Sequence, residues 1–156
     1  MGNDSTMIRI AFEPFHPARE TEAYSATAEN AGAVVSFLGK VRGDVDGSIN
    51  GLLLEHYPGL TEQSMTAISE RACARWDITE PLIIHRVGAL ALNEPIVLVC
   101  VAACHRHEAF VAADFIMDYL KTEALFWKKE LRHSGDAWIE PRSNDYDDAK
   151  RWREEG

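Results

Sequence analysis

The chain has 156 residues, of which 46% are hydrophobic and 26% are charged, and its formal net charge at pH 7 is −9. These values are typical of one soluble globular domain with its own hydrophobic core. The excess of acidic side chains argues against broad electrostatic binding to nucleic acid or to anionic membranes, so any anion site must be local and preorganised.

Hydrophobic patterns predict helices and strands mixed along the chain. In chain order we predict a strand at 7–12, a helix from 17 to about 28, a strand at 33–41, a glycine-rich loop or wide hairpin at 43–51, a strand at 52–57, a helix at 61–76, strands at 82–87 and 96–104, a long helix from 108 to about 131, and a short edge strand at 138–140. The strand at 96–104 is apolar on both faces, which predicts a central, doubly covered strand. The long helix has a predicted buried stripe of Ala113, Ile116, Met117, Leu120, Ala124 and Trp127. This mixture favours the α+β class over a doubly wound sheet.

Composition divides the chain into three segments. We predict a flexible N-terminus at 1–6, a single domain at 7–142, and a charged, loosely held tail at 143–156. Chain ends with this composition are often poorly ordered.

Two features of the sequence bear on the compartment. No stretch has the length of a membrane span, and the chain does not begin with a basic region followed by an apolar core. The three cysteines, Cys73, Cys100 and Cys104, lack the number and spacing of a disulfide framework or a metal site. We therefore expect a cytoplasmic protein without a bound metal ion or cofactor.

Lys121 and Lys128 are the first candidate functional residues. Both fall in the predicted long helix, and seven residues make two turns, so their ammonium groups are expected on one side, about 10 Å apart along the axis. Both lie at the border of the apolar stripe, where partial shelter strengthens anion binding and favours proton transfer by an amine. The alternative is an ordinary surface on which Lys121 pairs with Asp118 and Lys128 is solvated.

Three further candidates stand where predicted strands end. His105 and Arg106 follow the strand at 96–104, and Arg42 follows the strand at 33–41. Ligands often bind at strand ends and helix starts, and the planar guanidinium of Arg106 suits a phosphate or carboxylate. His105 could donate to an anion or move a proton. The alternatives are a helix-start pair satisfied by nearby carbonyls and a solvated strand end at Arg42.

Several short stretches occur in a specific order: Phe37–Arg42, Leu54–Gly59, Ile84–Gly88, His105–Arg106 with Ala109–Phe110, Phe115–Thr122 and Phe126–Glu130. Taken together, they resemble the large, catalytic subunit family of molybdopterin synthase. The resemblance covers roughly residues 7–152.

The resemblance implies a fold of the α/β hammerhead type with a small additional antiparallel β subdomain, and it makes 7–142 the catalytic domain. It implies a sulfurtransferase that converts cyclic pyranopterin monophosphate into molybdopterin, whose dithiolene later holds molybdenum. The sulfur arrives as a thiocarboxylate on the C-terminal Gly-Gly tail of a small ubiquitin-like subunit. Two large subunits form a dimer with a small subunit at each end, and the pterin pocket takes residues from across the dimer interface.

The resemblance also implies roles for individual residues. Lys121 matches the essential lysine and Lys128 the second pocket lysine, and the other matching positions are Arg42, His105 and Arg106 for anion binding, Phe37 and Met117 as pocket lining, and Arg142 as a basic residue near the C-terminal strand. We hypothesise that Lys121 is a general acid/base, and that Lys128 and the anion-binding residues hold the phosphate and pterin.

The chain departs from the family pattern at Leu125, where many relatives carry proline. Leucine permits the long helix to continue straight, which bears on the direction of Lys128. His107 and Glu108 also replace small polar residues expected after the His-Arg pair.

Two other functions compete with this interpretation. The chain could be a non-catalytic module that docks a ubiquitin-like sulfur carrier, or an unrelated thiol enzyme that uses Cys104. Both lysines argue against the first, and a cysteine at the end of an apolar strand usually packs inertly.

Overall fold

The computed structural model describes residues 7–124, 126–132, 135–139 and 143–154. The elements in this part of the chain are β1 (Ile8–Ala11), α1 (Pro17–Thr27), β2 (Ala33–Lys40), β3 (Ile49–His56), α2 (Leu60–Arg75), β4 (Leu82–Arg86), β5 (Gly88–Ala91), β6 (Pro95–Ala103), α3 (Arg106–Thr122), β7 (Phe126–Arg132), β8 (Ala137–Ile139) and α4 (Ser143–Glu154). The elements predicted before α3 are confirmed to within a few residues, whereas β5 was not predicted. None of the helices in these ranges is both long and apolar enough to cross a membrane.

The main sheet has the strand order β1-β4-β6-β2. β1 and β4 run parallel, and the other two pairs are antiparallel. The larger core lies on one face of the sheet, with residues of α2 and α3, and a smaller core with Tyr24 of α1 lies on the other. β6 lies between β4 and β2 and is buried from Ile96 onward, so the prediction of a central strand covered on both sides is confirmed.

The second sheet has the strand order β5-β3-β7-β8 and is antiparallel throughout. Together with the helices and the mixed main sheet, it confirms the α+β class and the additional antiparallel β subdomain. β3 begins at Ile49, so the glycine-rich connection after β2 is shorter than predicted.

The long helix predicted from 108 to about 131 is wrong from about residue 123 onward. α3 ends near Glu123, whose N–H bonds to the carbonyl oxygen of Tyr119 at 2.7 Å, and β7 begins at Phe126. β7 pairs with β3 on one side and with β8 on the other, and this tertiary pairing overrides the helical spacing of the local sequence. Trp127, expected in the buried stripe, is 39% exposed. Leu125 lies outside the described residues.

Residues 143–154, expected as part of a loosely held tail, form the helix α4. This helix packs against α3, and Ala149 and Trp152, three residues apart, are both buried. The Nε1 of Trp152 donates to Oδ2 of Asp118 at 2.6 Å, and Nη2 of Arg151 donates to the same oxygen at 2.7 Å. The segment has so many charged residues that its narrow apolar stripe, which includes Ala149 and Trp152, was not recognised in the sequence. The N-terminus 1–6 lies outside the described residues, and the domain boundary at 142 stays a prediction.

Candidate active site

One end of the main sheet gathers most of the predicted site residues. Gly39 of β2, Val97 of β6 and His85 of β4 lie side by side in one row across the sheet. Neighbouring strands are about 4.8 Å apart, so the row extends about 10 Å from Gly39 to His85. α3 starts two residues after β6 ends and packs against β6 and β2. Its last turn, which contains Lys121, therefore lies at the end of the sheet where this row is found.

The lack of a side chain at Gly39 lets Val97 and Phe37 pack closely over it. A Cβ built on Gly39 would lie 2.7 Å from Cγ1 of Val97 and 3.4 Å from Cε1 of Phe37. The missing side chain leaves room for the Phe37 ring, which extends toward this end of β2 and is 40% exposed. Met117 lies one turn before Lys121 on α3 and is half-buried.

Arg42 also belongs to this end of the molecule. It is exposed and follows Val41, which is buried and exchanges backbone hydrogen bonds with the turn before β6: Val41 N–H donates to Glu94 O at 2.9 Å, and Asn93 N–H donates to Val41 O at 2.8 Å. These two bonds hold the backbone just before Arg42 at the start of β6.

The two lysines reach this end from different elements, and not from one helix as predicted. Lys121 is exposed in the last turn of α3. Lys128 is half-buried in β7, opposite Leu54 of β3 and Ile139 of β8, and its charge acts on His85. The predicted partial burial is therefore found for Lys128, whereas the side chain of Lys121 is exposed to solvent in the single chain.

Asp118 was the alternative partner considered for Lys121. Its carboxylate accepts hydrogen bonds from Arg151 and Trp152 of α4. The acidic side chain nearest to Lys121 in the helix is thus engaged by the C-terminal helix.

His105 and Arg106 lie at the opposite end of α3. His105 precedes the helix with an extended backbone, Arg106 is its first residue, and both side chains are exposed. From Arg106 to Lys121 the helix rises about 22 Å. A single chain therefore does not bring the His-Arg pair to the lysines. Arg142 lies outside the described residues.

The family model described as MoaE protein matches residues 10–123. The chain belongs to the MoaE protein family.

Curated relatives and solved structures agree with this assignment. The molybdopterin synthase catalytic subunit of Cereibacter sphaeroides is 44% identical to this chain, and the match covers 93% of this chain and 99% of that subunit. The subunit of Escherichia coli is 45% identical, and the match covers 94% of this chain and 98% of that subunit. The MoaE structure from Burkholderia ambifaria has a TM-score of 0.79 at 41% identity and covers 94% of this chain and 98% of its own. The crystal structure of molybdopterin synthase from Staphylococcus aureus has a TM-score of 0.78 at 31% identity. The match covers 86% of this chain and 97% of the Staphylococcus chain. The resemblance seen in the sequence motifs is confirmed.

His85 received no role in the sequence analysis, although this MoaE-family chain places it close enough to Lys128 for that charge to act on it. Its ring stacks on Phe126 with centroids 3.9 Å apart and an interplanar angle of 18°. Nδ1 lies 2.8 Å from the carbonyl oxygen of Arg86, so the neutral ring donates from Nδ1 and keeps a lone pair on Nε2. Burial lowers the pKa of His85 to about 4, and the nearby charges of Lys128 and His56 also lower it. An ionisable residue inside the buried stretch Leu82–Arg86 was the signal that could have revealed it.

The buried imidazole predicts a specific loss of stability in acid. The unfolded chain binds a proton at His85 near pH 6.5, whereas the folded chain binds it only near pH 4. The unfolded state therefore holds more protons between these values, and the free energy of unfolding should fall by about 3 kcal/mol from pH 7 to pH 4 because of this residue. Urea unfolding of the wild type and of His85→Phe at both pH values measures the effect. Carboxylates contribute equally to both proteins, so identical pH dependence in the two would contradict the prediction.

The cysteines do not form a cluster at this site. Cys100 is buried beside Thr21, with 3.6 Å between Sγ and Oγ1, and burial raises the pKa of its thiol. Cys104 lies between β6 and α3 and is exposed, not packed inertly as expected. In the described ranges, no group of three His, Cys, Asp or Glu side chains is arranged to hold a metal ion.

Proposed function

We propose that this chain is the catalytic subunit of a molybdopterin synthase, a cytoplasmic sulfurtransferase of molybdenum cofactor biosynthesis. It transfers sulfur from the C-terminal thiocarboxylate of a small ubiquitin-like carrier to cyclic pyranopterin monophosphate and forms the molybdopterin dithiolene. The observation that carries the proposal is the position of Lys121 and Lys128. They reach one end of the main sheet from α3 and β7 in a chain similar to catalytic subunits over nearly its whole length.

The charges of the reaction suit this arrangement. The carrier's sulfur bonds to the acceptor, and water then cleaves the bond between the acyl carbon and that sulfur and leaves a carboxylate on the carrier. The cyclic phosphate of the acceptor must also open. Negative charge is therefore redistributed both at the carrier's terminal group and at the phosphate of the acceptor. A fixed cation near each of these groups stabilises that charge. Lys121 is the general acid/base at the reacting carbons and the contact for the carrier's terminal group. Lys128 and Arg42 hold the phosphate and pterin between Phe37 and Met117.

The distance between the two ends of α3 supports a site completed by a second copy. His105 and Arg106 are about 22 Å from Lys121 along the helix, too far to act on one small substrate with it. β2 is an edge strand of the main sheet, and its Val34, Phe37 and Leu38 are 36%, 40% and 40% exposed. An edge with exposed apolar side chains favours pairing with another chain. Two copies form a dimer in which Arg106 of the partner subunit binds the pterin phosphate, and a carrier at each end makes a heterotetramer.

A mixed dimer tests the shared site. Lys121→Ala and Arg106→Ala chains, coexpressed with different affinity tags, should each be nearly inactive as homodimers. Heterodimers selected through both tags should regain about half of wild-type activity, because one of the two sites of each two-fold symmetric heterodimer keeps both residues. Dithiolene formation in the tag-selected dimers is the measurement.

The matched control pairs Lys121→Ala with Lys128→Ala. Both lysines belong to the same site of one chain, so every site in this mixture lacks one of them, and activity should not exceed that of the Lys121→Ala and Lys128→Ala homodimers. Recovery in the control, or none in the Lys121/Arg106 mixture, would contradict a site shared in this way.

Reconstitution tests the function itself. The purified chain is combined with thiocarboxylated carrier and cyclic pyranopterin monophosphate, and the dithiolene product is assayed against carrier that ends in an ordinary carboxylate. Product that requires the thiocarboxylate is the expected result. Carrier binding without product would favour the docking-module alternative.

A further inference from the structure

His85 connects the two sheets where the strand that contains Lys128 begins. It belongs to β4 of the main sheet, and its ring stacks on Phe126, the first residue of β7 in the second sheet. Side chains alternate along a strand, so Phe126 and Lys128 project to the same face of β7. The position of the Phe126 ring therefore bears directly on the position of Lys128.

The imidazole is held at several points. Its Nδ1 hydrogen bond to the carbonyl of Arg86 measures 2.8 Å and restrains the ring within β4. The stack with Phe126 covers one face of the ring, at 3.9 Å. His56 lies opposite Phe126 in β3, and its ring contacts Phe12 with centroids 5.7 Å apart. Rings from β3, β4 and β7 thus meet at the junction of the two sheets.

Proton transfer is a poor explanation for this residue. His85 is 7% exposed, and burial keeps it neutral at physiological pH. A neutral ring adds no positive charge beside Lys128, so His85 does not bind an anion there by its own charge. Orientation of the strand is the role that the contacts support.

We propose that His85 is a positioning residue that holds the start of β7 against the main sheet and thereby directs Lys128 at the anion. The inference rests on the proposed function, because it assigns Lys128 to the phosphate of cyclic pyranopterin monophosphate. Residues that position a charged group have large effects, since a displacement of about 1 Å can cost about 100-fold in rate.

Steady-state kinetics of the reconstituted synthase test the proposal. His85→Ala should raise KM for the pterin about tenfold, with unchanged affinity for the carrier. His85→Phe keeps a ring against Phe126 and should restore KM to near the wild-type value. In a Lys128→Ala background, His85→Ala should add no further increase, because the residue through which it acts is absent.

Ile84→Ala is the matched control. Ile84 is the neighbouring residue of β4, is 1% exposed, and packs in the smaller core on the other face of the sheet. It should destabilise the fold without raising KM. An equal rise of KM in Ile84→Ala, or a His85→Ala effect that multiplies with Lys128→Ala, would reduce His85 to a structural residue and overturn the proposal.

A spectroscopic measurement separates this inference from the proposed function. In protein labelled with ¹³C at lysine Cε, the Lys128 signal, assigned by its loss in Lys128→Arg, should shift in His85→Ala and stay in place in His85→Phe and Ile84→Ala. An unmoved signal in His85→Ala overturns the positioning role even if the synthase is active. If the wild type makes no product, the proposed function fails, and the signal still decides whether His85 positions Lys128.

Discussion

Replacing Lys121 with alanine is expected to lower sulfur transfer by about 1,000-fold, within the range for loss of a general acid/base. Affinity for the carrier should change little, because a ubiquitin-like subunit contacts far more surface than one side chain at its tail. Lys121 is exposed on the last turn of α3, so the substitution leaves the core intact. Single-turnover dithiolene formation and calorimetric titration with the carrier measure the two effects.

Two further lysine variants make this result specific. Lys129→Ala removes a lysine whose Nζ lies 5.3 Å from the centre of the Trp138 ring, on the face of β7 opposite to Lys128, and it should remain near wild-type activity. Lys121→Arg keeps the charge but cannot release a proton near neutral pH, so it should stay inactive. If arginine restored activity, Lys121 would act through its positive charge and not by proton transfer. If the alanine variant turned over normally, Lys121 would have no part in the reaction.

Trp152→Ala is expected to lower the free energy of unfolding by about 3–5 kcal/mol, the range for truncating a buried aromatic side chain. The indole is 6% exposed and packs edge-on against Trp76 and Phe115, with ring centroids 5.6 and 5.5 Å apart. Its N–H also donates to Asp118, one turn before Lys121, so the loss would loosen α4 from α3. Urea unfolding monitored by circular dichroism gives the free energy.

The controls for Trp152 separate packing from hydrogen bonding. Trp152→Phe keeps an aromatic ring and loses the donor to the Asp118 carboxylate, which should cost about 1.5–3 kcal/mol. Tyr146→Ala changes a side chain of α4 that is 45% exposed and should alter stability by less than about 0.5 kcal/mol. If Trp152→Ala were as stable as Tyr146→Ala, the tail would be loosely held after all.

Local sequence was sufficient where one physical signal dominated. β6 was predicted as a buried central strand because its apolar run matches a strand covered on both faces, and α1 was predicted from a proline at its start. The order of motifs likewise identified the family before any geometry was known, and it made the two lysines candidates.

Local sequence failed where contacts from distant residues decided the outcome. The segment 108–131 has helical spacing throughout, yet the pairing of β7 with β3 and β8 makes a strand of its end, from Phe126 onward. His85 looked like one polar residue in a buried strand, and its relation to Lys128 depends on Phe126, some forty residues later. α4 looked like a solvated charged tail because its apolar positions are few.

The sequence by itself determined the α+β class, the family, and the side chains capable of binding an anion, because these follow from hydrophobic periodicity and from the chemistry of individual residues. The tertiary structure decided where each of them lies: Lys121 is in the last turn of α3 and Lys128 in β7, while His105 and Arg106 lie at the other end of α3. The physical reason is that a helix keeps its two ends a fixed distance apart, whereas strand pairing brings residues together regardless of their separation along the chain.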